Sequence, residues 1–372
     1  MDLVLQLFTG GCITPAQLDI DAIKGRLIKI LENTKITGLL IGWNKDADLS
    51  EITQLIKDNG AEVHLWLPVF SELGELADFP PLIGNDRKKL EIDFDMGNGE
   101  TFEFYCPTSA VEQIIDIYEK YYDNEVYDGV FLDKIRYPSF IGGESTLYRC
   151  FCDVCGSGND LPDFGKFLEL DSVNPLGISG YEDLRYKLDS RFNKLFDYKC
   201  DVIYHSLEKL CAYFRGRDLK IGLDLFAPFM SYFVGQDYYK LLRLCDYVKP
   251  MLYGVTNAPA GIPFEIDMYA KTFDDSRENA QKRKKQLMDS VGFGDSFIGN
   301  EIAGINKVIK STAPHTKLYA GIELNYIEHI APVTEDYIRA SITKISQADG
   351  IVASWDLNTI PDSHIDCLLD AL

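Results

Sequence analysis

Eight short apolar runs recur along the chain, separated by longer stretches that carry polar residues on one face and apolar residues on the other. The runs are Leu3–Phe8, Ile36–Trp43, Glu62–Val69, Asp128–Asp133, Lys220–Phe226, Tyr247–Tyr253, Lys317–Leu324 and Gly350–Trp355. Each reads as a β-strand. Between them the spacing predicts helices. Pro15–Leu31 places Leu18, Ala22, Ile23, Leu27, Ile30 and Leu31 on one face, and Leu49–Lys57 stops at Asn59-Gly60. Ser109–Tyr122, Tyr181–Phe214 and Thr334–Ser346 follow the same pattern. Strand and helix alternating from end to end is the signature of a (β/α)8 TIM barrel spanning residues 1–372 as one domain, with an open α/β sheet as the competitor. The regular alternation breaks after the fourth run, where residues 139–180 form an irregular, cysteine-bearing insertion.

A core of that size is feasible, because 46% of the 372 residues are hydrophobic. The formal charge of −21, from 37 Lys+Arg against 58 Asp+Glu, argues against nucleic acid and anionic membrane as partners, since both need a basic face. The N-terminal MDLVLQLF lacks the charge and length of a signal peptide, and no apolar run approaches the ~20 residues of a membrane span. With nine cysteines and no export signal, the expectation is a cytoplasmic protein with reduced thiols. Homo-oligomerisation stays open.

In a barrel, chemistry gathers where the strands end at the C-terminal rim. The residues expected there are Trp43 and Asn44, Asp133 with Arg136, Asp224, Lys249 and Tyr253, Glu323 and Asn325, and Trp355 and Asp356. All three tryptophans (Trp43, Trp66 and Trp355) fall within strands, either as core or as platforms for the apolar face of a sugar ring. Other chemistries find little support. The five histidines are isolated, with no HExxH. Gly292-Phe-Gly294 is a lone weak match to a phosphate loop, there is no GxSxG elbow, and Lys282–Lys285 reads as a solvated helix face.

The most specific local signal is Cys150-Phe-Cys152-Asp-Val-Cys155. Three thiols within six residues can converge on one ion, and Cys106 in Phe-Tyr-Cys-Pro is the natural fourth ligand of a closed, structural zinc site. An iron–sulfur cluster or free thiols are the alternatives. Cys12, Cys200, Cys211, Cys245 and Cys367 sit singly in apolar patterns and read as buried hydrophobes.

Tyr127-Asp-Gly-Val-Phe-Leu-Asp-Lys-Ile-Arg-Tyr-Pro138 resembles the strand-four motif of the glycoside-hydrolase-like (β/α)8 barrels. Gly222–Phe226 and Asp246–Tyr253 look like strands five and six of that group. The order Cys-Pro-x-Ser, helix, acidic strand end and Cys-x-Cys-x-x-Cys is also similar to the zinc-containing β-galactosidases of clan A, in which four cysteines hold one structural zinc. Together these matches cover about residues 100–255. The resemblance implies a sugar-active barrel, with Glu323 at the strand-seven position that is the nucleophile in that clan. The chain departs from it at Leu132-Asp133, where the clan has Asn-Glu.

Glycoside hydrolysis needs two carboxylates flanking the scissile bond. Asp133 and Glu323 are the expected pair, with Asp224 in reserve. Trp43, Trp66, Arg136, Lys249, Tyr253, Trp355 and Asp356 are the expected substrate contacts. Two other classes stay open: a carbohydrate-binding barrel without catalysis, and a lyase or isomerase acting on a sugar acid.

Overall fold

The computed structural model describes residues 1–92, 102–124, 126–156, 190–272, 276–291, 293–294 and 296–372. Eight parallel strands close into a barrel: β1 (Asp2–Leu7), β2 (Ile36–Ile41), β3 (Glu62–Pro68), β4 (Gly129–Asp133), β5 (Lys220–Phe226), β6 (Tyr247–Met251), β7 (Lys317–Glu323) and β8 (Gly350–Ser354). Each strand pairs with the next, and β8 returns to β1 with Asp2 opposite Gly350. The (β/α)8 class expected from the sequence is the fold.

The outer layer is α1 (Ile20–Asn33), α2 (Ser50–Asp58), α3 (Pro107–Tyr121), α4 (Ser190–Arg215), α5 (Ile262–Lys271), α6 (Arg277–Val291), α7 (Phe297–Thr312), α8 (Glu335–Lys344) and α9 (Asp362–Ala371). Helix α1 starts later than the periodicity predicts. Pro15 is taken by a bridge to Gly10, and the Asp19 carboxylate then caps the helix by accepting from the Ala22 amide at 3.0 Å. Its buried face is Ile23, Leu27 and Ile30. Pro107 opens α3, where its missing N–H costs nothing. Of the expected helix Tyr181–Phe214, the first nine residues lie outside the described residues, as does the insertion beyond residue 156. None of the described helices is long and apolar enough to cross a membrane.

Two inward-facing glycines let the barrel hold large polar side chains. A Cβ on Gly222 would sit 2.1 Å from Cζ of Tyr247, and one on Gly321 would sit 2.7 Å from Cε of Lys249. The rings of Tyr247 and Phe131 stack at 6.1 Å in the space this leaves. At the strand N-termini a recurring device sets register. Asp128, Asp246 and Asp349 precede β4, β6 and β8, and each carboxylate accepts at 2.8 Å from a backbone amide of the preceding strand (Val63, Ile221 and Leu318).

Candidate active site and metal centre

A cavity of about 570 Å³ opens at the C-terminal mouth of the barrel. Asp133, the last residue of β4, lies in its wall. One oxygen accepts from the Trp66 indole N–H at 2.8 Å, and the other accepts from the backbone amide of Lys134. The Lys134 side chain is then buried in an ion pair with Glu72. Sequence patterning pointed to neither Lys134 nor Glu72.

The β4–β5 register pairs Leu132 with Leu223, so Asp224 is the neighbour of Asp133 one strand on. Asp224 is 2% exposed. Oδ2 accepts from Lys249 Nζ at 2.9 Å, and Oδ1 has no hydrogen-bond partner among the described residues. Burial pushes the Asp224 carboxyl up to about 7, opposed by Lys249 and reinforced by the charge of Asp133. Burial works against the charge of Lys249 as well, but Asp224 and Tyr253 raise it above the usual lysine range. Arg136 stands nearby with its guanidinium between the rings of Phe104 and Phe226, at 5.0 and 4.5 Å.

Aromatic surface completes the mouth. Trp66 and Trp355 line it, and Tyr253 meets Trp355 edge to face at 6.0 Å. The Ser354–Trp355 peptide is cis. Asp356 also lines the cavity, but its carboxylate accepts from the amides of Phe8 and Asn358 and from the Thr359 hydroxyl, which fixes the β8 loop to β1. Asn325 braces the same loop by accepting from the amides of Trp355 and Asp356.

Three expected rim residues lie elsewhere. Asn44 is buried, where its side chain donates to the Gly11 carbonyl and accepts from the Asp46 amide. Trp43 is 1% exposed and packs edge-on between Phe8 and Trp66 at 5.4 and 5.3 Å, so it backs the platform rather than forming it. Glu323 is 1% exposed and absent from the cavity wall. Its oxygens accept from the backbone amides of Gly254, Val255 and Thr256 and from the Tyr337 hydroxyl, so it pins the loop after β6. The structure thus brings Asp133, Asp224, Trp66, Arg136, Lys249, Tyr253, Asn325, Trp355 and Asp356 to one cavity, without Trp43, Asn44 and Glu323. It also adds Gln6, the one polar residue inside the run Leu3–Leu7.

The cysteines converge on a second site. The ligand atoms of Cys106, Cys150, Cys152 and Cys155 all lie within 4.8 Å of one another, with Cys106 Sγ at 3.6 and 3.5 Å from those of Cys152 and Cys155. Tetrahedral thiolates at the usual zinc–sulfur length stand about 3.8 Å apart, so the four sulfurs fit one ion. Arg149 holds the turn by donating to the carbonyls of Cys150 and Cys155 at 3.0 and 2.8 Å. No disulfide forms, and all nine cysteines are free. This cluster can hold a metal ion.

No protein-family model matches the chain, and no curated protein sequence does. Solved structures do. The glycoside hydrolase domain of PgaB (BpsB) from Bordetella bronchiseptica superposes with a TM-score of 0.50 at 14% identity, covering 100% of this chain and 98% of that one. A β-galactosidase from the psychrophilic Marinomonas ef1 gives a TM-score of 0.53 at 11% identity. The whole of this chain is covered there, and 59% of that one. The likeness is one of fold. This chain shares its barrel with glycoside hydrolases.

Proposed function

We propose that the protein is a glycoside hydrolase whose carboxylate pair is Asp133 and Asp224. The observation that carries this reading is their placement: side by side on β4 and β5, in the wall of one aromatic-lined cavity. Two adjacent carboxylates cannot both ionise without cost, so a pair of this kind divides into one acid and one base. Burial raises the Asp224 carboxyl to about 7, so it is the member of the pair able to carry a proton and give it to the leaving oxygen. Asp133, oriented by N–H donors on both oxygens, faces the anomeric carbon as base or nucleophile. Trp66 and Trp355 offer faces for the sugar ring. Glu323 serves as a positioning residue, through the β6 loop that carries Tyr253. The fold it shares with a PgaB glycoside hydrolase domain and a β-galactosidase supports the class of reaction, and a carbohydrate as substrate.

The test is turnover of a panel of chromogenic glycosides of both anomeric configurations. Cleavage of at least one by the wild type, lost in Asp133→Asn and in Asp224→Asn with melting temperature retained, is the expected result. Binding of sugars with no cleavage of any glycoside would instead make this a carbohydrate-binding barrel. Activity that appears only on sugar acids with added divalent metal would point to a lyase or isomerase.

The same reading includes a structural zinc on Cys106, Cys150, Cys152 and Cys155. Four thiolates would close its coordination shell, so it would brace the loop after β4 and take no part in the reaction. Metal analysis of protein purified without added metal should find about one zinc per chain, and Cys152→Ser should release it. Nine cysteines with no disulfide among them suit a reducing compartment, the cytoplasm.

A further inference from the structure

Gln6 lies on β1, where its backbone carbonyl accepts from the Leu357 amide at 2.8 Å. Its side chain is 0% exposed, lines the cavity, and meets no hydrogen-bond partner among the described residues at either Nε2 or Oε1. In the closed strand order β1 is four strands from β5 in both directions, so Gln6 and Asp224 look into the cavity from opposite walls. Asp224 Oδ1 is likewise without a partner there. A buried carboxamide with both ends unsatisfied is unfavourable, and leucine would fill the same space without that cost. Its placement in an otherwise apolar strand, in the wall of an aromatic-lined cavity, indicates a ligand that supplies the missing partners.

The chemistry of the carboxamide narrows that ligand. It presents an acceptor and a donor side by side in one plane. Two neighbouring hydroxyls on a sugar ring match this, one donating to Oε1 and the other accepting from Nε2. An N-acylamino substituent does not, because its trans amide points N–H and C=O in opposite directions and can meet one end of the carboxamide only. We infer that Gln6 is a specificity-determining residue that reads a vicinal diol of a pyranose held in the cavity, opposite Asp224. This rests on the carbohydrate reading above and sharpens it: the ring in contact with β1 carries two free adjacent hydroxyls.

The experiment titrates the whole protein, wild type and Gln6→Leu, with methyl pyranosides of the gluco, galacto and manno configurations and with their monodeoxy forms, by calorimetry. The expected result is that one parent glycoside binds and that removing either hydroxyl of one adjacent pair weakens it. Gln6→Leu should weaken the parent by about thirtyfold, as for two neutral hydrogen bonds, and should no longer distinguish it from those deoxy forms. The unliganded Gln6→Leu protein should melt higher than wild type by about 2 °C, because an orphaned polar group has gone. Gln6→Met repeats the comparison with a second apolar side chain. Binding unchanged by Gln6→Leu, deoxy sensitivity that survives it, a lower melting temperature in both variants, or no binding of any pyranoside would overturn the inference. Cleavage assays run in parallel separate the two readings. Gln6-dependent binding by a protein that cleaves nothing removes the hydrolase reading alone, and cleavage undiminished in Gln6→Leu removes this inference alone.

Discussion

The two mouths of the barrel are built from similar residue types and treat them in opposite ways. At the N-terminal mouth a cavity of about 450 Å³ is lined by Asp2, Glu62, His64, Lys220, Tyr247, Lys317 and Tyr319 among others, and these charges are matched. Glu62 pairs with Lys220 and with His64, the His64 Nδ1 meets the Tyr247 hydroxyl at 2.8 Å, and Asp2 takes Lys317 and the Tyr319 hydroxyl. At the C-terminal mouth Gln6 and one oxygen of Asp224 are left without partners among the described residues. The carboxyl groups register the contrast. The His64 and Lys220 hydrogen bonds hold Glu62 down at about 2 against partial burial, while burial lifts Asp224 to about 7. Satisfied polar groups hold a structure together, and unsatisfied ones are kept for something that binds. One mouth is therefore a foundation and the other the candidate site.

The largest effect that sharpens this contrast is on turnover. Asp224→Asn and Asp133→Asn should each reduce kcat by about 10²- to 10⁴-fold, the usual share of a general acid or base, with the thermal transition retained. Tyr247→Phe reverses the pattern. It orphans a buried imidazole nitrogen at the N-terminal mouth and should lower unfolding free energy by about 1–3 kcal/mol in denaturant titrations while leaving kcat intact.

The pH dependence of stability separates the mouths as well. The folded-state value for Asp224 is raised, so its contribution is present below the ordinary carboxylate range and is lost as pH climbs through about 7. Glu62 is lowered, so its contribution is present above that range and is lost as pH falls toward about 2. Asp224→Asn should thus flatten the stability profile between about pH 4 and 7, and Glu62→Gln should flatten it on the acid side. Equal slopes in wild type and Asp224→Asn would break the comparison. The smallest effect belongs to Lys317→Ala: its side chain is 56% exposed, so loss of the Asp2 pair should cost about 0–1 kcal/mol and fade with salt.

The barrel was legible because strands buried in a closed sheet read as apolar runs, and eight of them spaced by helices admit few arrangements. The strand-end acids were legible as a set. Which of them reach the cavity was not, because that depends on what each meets after the strand ends. Glu323 lies at the end of β7 like Asp133 at the end of β4, yet the amides of Gly254–Thr256 close over it. Nothing within seven residues of Glu323 in the chain announces a loop from the previous strand. Trp43 reads as the end of strand two, open between core and platform, and the structure puts it in the core: β2 stops at Ile41 and the indole packs against Trp66. Gln6 carried a usable signal, a lone polar residue in an apolar strand, and only the absence of a partner among the described residues gives that signal meaning.

The aspartates that anchor Val63, Ile221 and Leu318 occur before every second strand from β4 onward, and in the first pair the Thr37 hydroxyl donates to the Leu3 carbonyl across β1 and β2 at 3.1 Å. Each clamp falls within a pair: β1–β2, β3–β4, β5–β6 and β7–β8. The barrel is accordingly strapped pair by pair, so a slip in alignment is checked every two strands instead of accumulating around the ring.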